Sequence, residues 1–351
     1  MKARFWREQA IGAAFLGLKA SGLHRIARIR GRGAILMFHH VRPRVDGGLR
    51  MNRGLEIEPA FLELVIDCLA ASGFELVSLD QAVERIQGAA SARPFAAVTF
   101  DDGYRDTLEW AAPILRRREV PFAIYVTPGF AEGSASAWWE DLEAAILRLD
   151  RARIELGGRL IDLPTSTRAQ KESAGERLAA ELRAAAPHET RSAVAGLLDQ
   201  AGLVAGAGAS RMFMNWDELR DLAGDRLCTI GVHTLTHPNL SRLEEPEAAR
   251  ELGESRRIIE EKLGRPARHL AYPYGGPGAA GQREFMLANA FGFASATTTR
   301  PGMVFGQHRA HLCALPRLSV NGAWQSRAAL EILLSGLPFA LWNRGRPLNV
   351  A

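Results

Sequence analysis

Short apolar runs alternating with helical stripes are the strongest constraint on this chain. AILMF (34–38), FAAVTF (95–100) and PFAIYVT (121–127) are apolar almost throughout. Runs of that length and content suit strands buried on both faces. Between them, PAFLELVIDCLAASG sets apolar residues at 61, 62, 65, 66 and 69, one face of a helix that Gly73 closes. FELVSL reads as a short strand, and LDQAVERI opens a helix with Asp80 at its N-cap. A further helix is expected over 106–118, kinked at Pro113. Buried strands joined by helices predict an α/β fold with a parallel sheet or barrel.

The rhythm breaks over 134–210, a segment rich in Ala, Leu, Glu and Arg that reads as a mostly helical insertion. Within it, RIELGGRLIDL is expected to form a hairpin turning at Gly157-Gly158. The rhythm then resumes with the helix NWDELRDLAG and the strand CTIGVHT. A long helix follows, with Ser241 and Glu244 as its capping box and Gly264 with Pro266 as its stop. HLAYPYG, FGFASATT and ALPRLSV are three more expected strands.

Charge divides the chain of 351 residues at about residue 32. Residues 1–32 hold eight Lys or Arg against one acid, Glu8, which leaves 36 basic and 38 acidic residues in the remaining 319. The body is therefore near neutral, and nucleic acid is not expected as a partner. In the arm, Trp6, Ile11, Phe15, Leu18 and Gly22 fall near one helical face among basic residues. That pattern fits a helix lying on a membrane surface, a helix packed on the body, or a secretion signal. Cys68, Cys228 and Cys313 are odd in number and widely spaced, so no disulfide framework is expected. A cytoplasmic protein, with the arm able to reach the inner membrane surface, is the expectation.

Two stretches carry chemistry. AVTFDDGY ends a buried strand in two adjacent carboxylates, Asp101 and Asp102, which repel each other unless something positive sits beside them. GVHTLTHPNLS places His233 at a strand end and His237 four residues on. A carboxylate with two imidazoles is a known catalytic arrangement for a divalent metal. One aspartate could bind the metal while the other acts as base, since neighbours at a strand end point different ways.

TFDDGY, HTLTHPNLS and AYPYG, in this order, resemble the motifs of the polysaccharide deacetylase (NodB-homology) family. ILMFHHV and LPRLSV are also similar to segments of its bacterial members, so the resemblance spans roughly 33–320. It implies a distorted (β/α) barrel carrying the helical insertion, over 33–351. It also implies hydrolysis of N-acetyl groups on a GlcNAc-containing oligo- or polysaccharide, such as a chitooligosaccharide or an exopolysaccharide, with a divalent metal, most often zinc. Residue by residue, Asp101 matches the catalytic base, and Asp102, His233 and His237 match the metal ligands. Tyr274 matches the residue whose backbone N–H holds the oxyanion. The family often has an arginine before its Pro-Tyr pair, where this chain has Ala271 and Tyr272; Arg317 in LPRLSV can supply that charge from a neighbouring strand, whereas Arg268 is out of place. A late Leu-x-x-His general acid has no clean match. His39, His40, His308 and His311 are candidates, His39 among them as a catalytic residue at the barrel mouth, with an exposed loop expected for the last two. Trp138 and Trp139 either line a saccharide groove or anchor the insertion. Trp216 is expected in the core with Asp217 capping its helix. Two other functions fit the same residues, hydrolysis of another acylated substrate (an O-acetyl ester or cyclic amide) and saccharide binding without turnover.

Overall fold

The computed structural model describes Gly17 and residues 29–44, 47–49, 51–89, 93–204, 206 and 209–350. The basic arm lies largely outside the described residues, and so do the three readings of it. Among the described residues no helix is long and apolar enough to cross a membrane.

The expected distorted (β/α) barrel is present. In chain order the strands are β1 (Gly33–Phe38), β2 (His40–Val41), β3 (Glu56–Ile57), β4 (Glu75–Leu76), β5 (Phe95–Phe100), β6 (Phe122–Val126), the hairpin β7 (Arg151–Leu156) and β8 (Arg159–Pro164), β9 (Cys228–Val232), β10 (His269–Ala271), β11 (Ser295–Pro301) and β12 (Leu315–Ser319). Seven of them close a parallel ring in the order β1, β12, β11, β10, β9, β6, β5 and back to β1, with β4 outside on β5. The ring is uneven. β1 and β5 pair along their full length from Gly33↔Phe95 to Phe38↔Phe100, while β10 meets β9 only at Leu270↔Val232. β11 and β12 slip register between Thr297 and Pro301.

Strand periodicity sorts side chains into two sets. Ile35, Ala97, Ala123, Tyr125, Ala271 and Leu315 fill the barrel interior in one cluster. Ala34, Leu36, Phe38, Val98, Phe100, Ile124, Val232 and Leu318 lie in another, beneath the outer helices. Each large aliphatic side chain so buried stabilises the fold by about 1.5–3 kcal/mol. Gly231 makes the interior possible, because a Cβ there would stand 2.6 Å from the Tyr125 ring.

The helices used below are α1 (Pro59–Ala71), α2 (Leu79–Gln87), α3 (Ala112–Arg117), α4 (Pro128–Ala131), α5 (Trp138–Arg148), α6 (Arg168–Ala184), α7 (Pro187–Gln200), α8 (Ala209–Met212), α9 (Trp216–Ala223) and α10 (Glu245–Leu263). Several helix starts differ from the expected ones. Ser78, not Asp80, caps α2 in a reciprocal box with Gln81. Asn215, not Asp217, caps α9, accepting from the N–H groups of Asp217 and Glu218 at 3.0 Å. Glu244 is itself the N-cap of α10, and Ser241 belongs to a preceding 3-10 turn. In each case the chain enters the helix a residue or more away from where the pattern places it, and each side-chain cap contributes about 1 kcal/mol wherever it falls. The expected helix over 106–118 is split into a π turn, Thr107–Ala111, and then α3, with Pro113 in the first turn of α3 and no N–H to contribute. FELVSL keeps only two paired residues, Glu75 and Leu76. The hairpin turns at Gly157-Gly158, both with positive φ (58° and 69°), as a two-residue turn requires.

The insertion builds a second core. Leu142, Ile146, Ile154, Leu178, Val194 and Leu197 pack together and are continuous with Tyr104 and Phe130 from the barrel's strand-end loops. The three cysteines are free and buried.

Candidate active site and metal centre

The site stands at the C-terminal ends of β5, β9 and β12, where parallel-barrel loops converge. In β5, Phe95 and Ala97 point inward, Thr99 reaches inward to Arg317, and Asp101 continues that face. Asp102 then takes φ 71° and Gly103 φ 72°, which turns the chain and re-aims the second carboxylate. In β9 the outward residues are Cys228, Ile230 and Val232, so His233 falls on the inner side. In β12 Leu315 points inward and so does Arg317.

These alternations bring two groupings together. Arg317, 1% exposed, grips Asp101 with two parallel bonds, Nη1 to Oδ1 at 2.6 Å and Nη2 to Oδ2 at 2.7 Å. Its Nε donates to the Thr298 carbonyl at 2.9 Å, and Nη1 also reaches Thr99 Oγ1 at 3.3 Å. A planar guanidinium forked onto a buried carboxylate is the geometry in which such a pair is strongest. Burial alone would raise the Asp101 carboxyl, but Arg317, then His233 and His39, hold it below the usual carboxylate range. Arg268 is instead paired with Asp80. It precedes β10, at the strand-start end of the barrel, away from this site.

The second grouping is Asp102, His233 and His237, whose donor atoms lie within 4.8 Å of one another. Asp102 Oδ1 is 3.4 Å from His233 Nε2 and 3.2 Å from His237 Nε2. The Nδ1 of His233 is 2.8 Å from the Ala271 carbonyl, a contact that keeps Nε2 turned to the cluster. Asp102 Oδ1 is buried without a hydrogen-bond partner. Two imidazole nitrogens converging on such an orphaned carboxylate oxygen fit a divalent metal. Although burial opposes it, the two imidazoles hold the Asp102 carboxyl well below its usual range.

Backbone strain collects here. Six non-glycine residues have positive φ among the described residues, and four of them, Asp102, Thr234, His237 and Tyr274, belong to these strand-end loops. Conformations that cost about 1–3 kcal/mol each persist where function fixes them.

Tyr274 follows β10 with its backbone at φ 61°, and Thr299 Oγ1 donates to its carbonyl at 2.5 Å. Its phenol packs 5.1 Å from the His237 ring. His39 is on the inner side of β1, 18% exposed, with Nε2 3.9 Å from Asp101 Oδ2. Burial pushes its imidazole below 6.5 in spite of both aspartates. The exposed loop expected for His308 is not found. That side chain is fully buried beside the start of β1, at the opposite end of the barrel, and its Nδ1 accepts from the Phe305 N–H at 2.9 Å. His311 lies three residues on in the same segment, before β12. Trp216 is half-buried against the outer helices and donates to Glu132 at 3.1 Å.

The insertion reaches the site through its two tryptophans. Trp138 donates to Tyr274 Oη at 2.8 Å and Trp139 to Tyr104 Oη at 3.0 Å. The Trp139 ring stands 4.9 Å from His237. Both tryptophans are buried, so they anchor the insertion, and they anchor it on site residues. Beside them a cavity of about 680 Å³ opens between α5 and α7 on one side and His237, Asn239 and Tyr274 on the other.

A sequence model of the family described as polysaccharide deacetylase matches residues 89–284, more than half of the chain. The chain belongs to the polysaccharide deacetylase family. Solved structures share the fold. The deacetylase PplD of Streptococcus pyogenes, in complex with acetate, is 14% identical at a TM-score of 0.54, over 83% of this chain and 92% of that one. IcaB from Ammonifex degensii is 19% identical at 0.54, over 86% and 98%. A de-N-acetylase from Aggregatibacter actinomycetemcomitans is 14% identical at 0.52, over 85% and 98%. No curated protein sequence matches the chain. Membership in this family makes it a carbohydrate deacetylase in the broad sense.

Proposed function

We propose that the chain is a metal-dependent hydrolase that removes N-acetyl groups from a GlcNAc-containing oligo- or polysaccharide, releasing acetate and a free amine. The observation that carries this reading is the side-by-side placement of an arginine-gripped carboxylate, Asp101, and a three-donor cluster, Asp102, His233 and His237. A bound divalent metal, zinc in this proposal, would polarise the acetyl carbonyl and acidify the attacking water.

The chain's own groups supply the rest. Asp101, ionised at neutral pH, takes the proton of the attacking water. Arg317 keeps both Asp101 oxygens in one plane and one place, so it positions the base. The Tyr274 N–H, presented by its left-handed backbone, donates to the oxygen that becomes negative in the tetrahedral intermediate. His39, on the inner face at the mouth and 3.9 Å from Asp101, passes the proton that Asp101 has taken from water on to the departing amine; His40 is committed elsewhere and His308 sits at the other end. Buried Trp138 and Trp139 exclude water from the metal-ligand side of the site. Arg317 meets the need that the missing arginine before Pro273 creates, which favours turnover over binding alone. The proposal includes a cytoplasmic location with the basic arm at the inner membrane surface, resting on the charge of residues 1–32 and the three free cysteines.

The test is acetate release from N-acetylchitooligosaccharides by zinc-loaded protein, with Asp101→Asn beside it. Release should fall about 10²–10⁴-fold in the variant while zinc content holds. Release from O-acetyl esters alone would redirect the reading to that bond. Equal release by both proteins would remove Asp101 from the role of base.

A further inference from the structure

His40 is adjacent to His39 but faces the other way, and nothing in the reaction above uses it. It is 1% exposed, and three segments of the chain meet on it. Its Nδ1 lies 2.5 Å from Asp106 Oδ2, in the turn after β5. Its Nε2 lies 3.5 Å from Glu140 Oε1, in the first turn of α5. Its ring packs against Tyr104 at a tilt, with centroids 3.6 Å apart. Asp106 also accepts the Val41 N–H at 3.2 Å, so it is fixed to β2 independently. His40 Nε2 and Glu140 Oε1 make no hydrogen bond to any group, so the 3.5 Å contact between them is an ion pair.

Two carboxylates drawn together away from water need a cation between them. Arg42, the nearest arginine by charge, is already paired with Glu56 at 2.6 Å. Burial disfavours charge on His40, but Asp106 and then Glu140 outweigh it and raise the imidazole to about 9. The histidine therefore serves as the cation.

We propose that His40, bracketed by Asp106 and Glu140, is the positioning residue that fixes the insertion over the active site. Glu140 directly follows Trp139, whose indole donates to Tyr104 and packs on His237. Trp138, one turn-neighbour back, donates to Tyr274. Holding Glu140 against His40 thus sets where both tryptophans stand, and with them the wall of the cavity beside His237. His40 touches neither substrate nor metal ligand in this role. Its effect on turnover rests on the hydrolase reading above, whereas its effect on the insertion does not.

The experiment uses the full-length, zinc-loaded chain and the variants His40→Gln, Glu140→Gln and the double variant. Glu140 lies at the cluster's edge, so its variant reports even where His40→Gln folds poorly. Hydrogen exchange is read over 138–148, against 95–100 and 228–232 as internal references. KM and kcat are read on an N-acetylchitooligosaccharide. Each single variant is expected to speed exchange over 138–148 about tenfold or more, the effect of breaking a buried ion pair, with the references unchanged. The double variant should be no worse than the worse single one, because the two residues act through each other. KM should rise more than kcat falls, since the wall moves and the reacting groups do not. Unchanged exchange in both single variants, additive effects in the double, or a loss confined to kcat would each overturn the proposal. An absence of turnover in the wild type would count against the hydrolase reading only, and exchange would still judge His40.

Discussion

Buried histidines stand at both ends of this barrel, and the two ends use them differently. At the strand-start end, His269 is 2.9 Å from Ser295 Oγ and 3.3 Å from Asp80, and His308 accepts a backbone N–H. Burial pushes the His308 imidazole down to about 4, so it is a neutral packing group. At the strand-end face, His233 and His237 converge on Asp102, and His40 lies between two acids. Residue type and burial are the same at both ends. What differs is the company that strand direction provides, since loops after parallel strands gather at one face.

The largest test of that contrast is Asp102→Ala. Zinc content and acetate release should both drop to background, and retained zinc at full stoichiometry would mean that the three-donor cluster is not the site. Next is Arg317→Met, which strands a buried carboxylate. Denaturant unfolding should show a loss of about 3–5 kcal/mol, and a smaller loss would mean Asp101 finds another partner or takes up a proton. At the opposite end, His308→Ala should cost about 1–3 kcal/mol of stability. Its kcat/KM under native conditions should match the wild type, and a fall there would erase the distinction between the ends.

The smallest effect near neutrality is the pH dependence of the insertion. His40 is charged in the folded chain up to about pH 9 but ordinarily only to 6.5. Its contribution is therefore complete below 6.5 and is lost as pH rises through about 9. Asp106, Glu140, Arg42, Tyr104 and His39 face it and set the background. Protection over 138–148, measured relative to the intrinsic base-catalysed exchange rate at each pH, should fall between pH 7 and 10 in the wild type and show no such step in His40→Gln. The same step in both would place the titrating group elsewhere.

Much of the strand-end geometry was legible because a strand repeats every two residues. That repeat separates Asp101 from Asp102, turns His233 inward, and lets Arg317 on β12, two strands from β10, stand in for an arginine missing near Pro273. The insertion's part was not legible. Glu140 and His40 are 100 positions apart, and no local pattern says that a helix of the second core returns to the end of β1. Helix starts were misread for a different reason. Ser78 and Asn215 each stand two residues before an aspartate that can also cap, Glu244 makes no side-chain cap at all, and the direction of chain entry decides where each helix starts.

The ring closure at β1 sets an order on synthesis. The first strand pairs with the fifth and also with the last, β12. Asp101 leaves the ribosome 216 residues ahead of the arginine that neutralises it, an interval of about 10–40 s at ordinary elongation rates. Through that time the growing chain carries two like charges with no cation from β12 and a barrel with an open seam. A nascent chain stopped short of residue 315 should expose both edges of that seam to proteolysis, and the last strand out joins the ring and the active-site ion pair in one event.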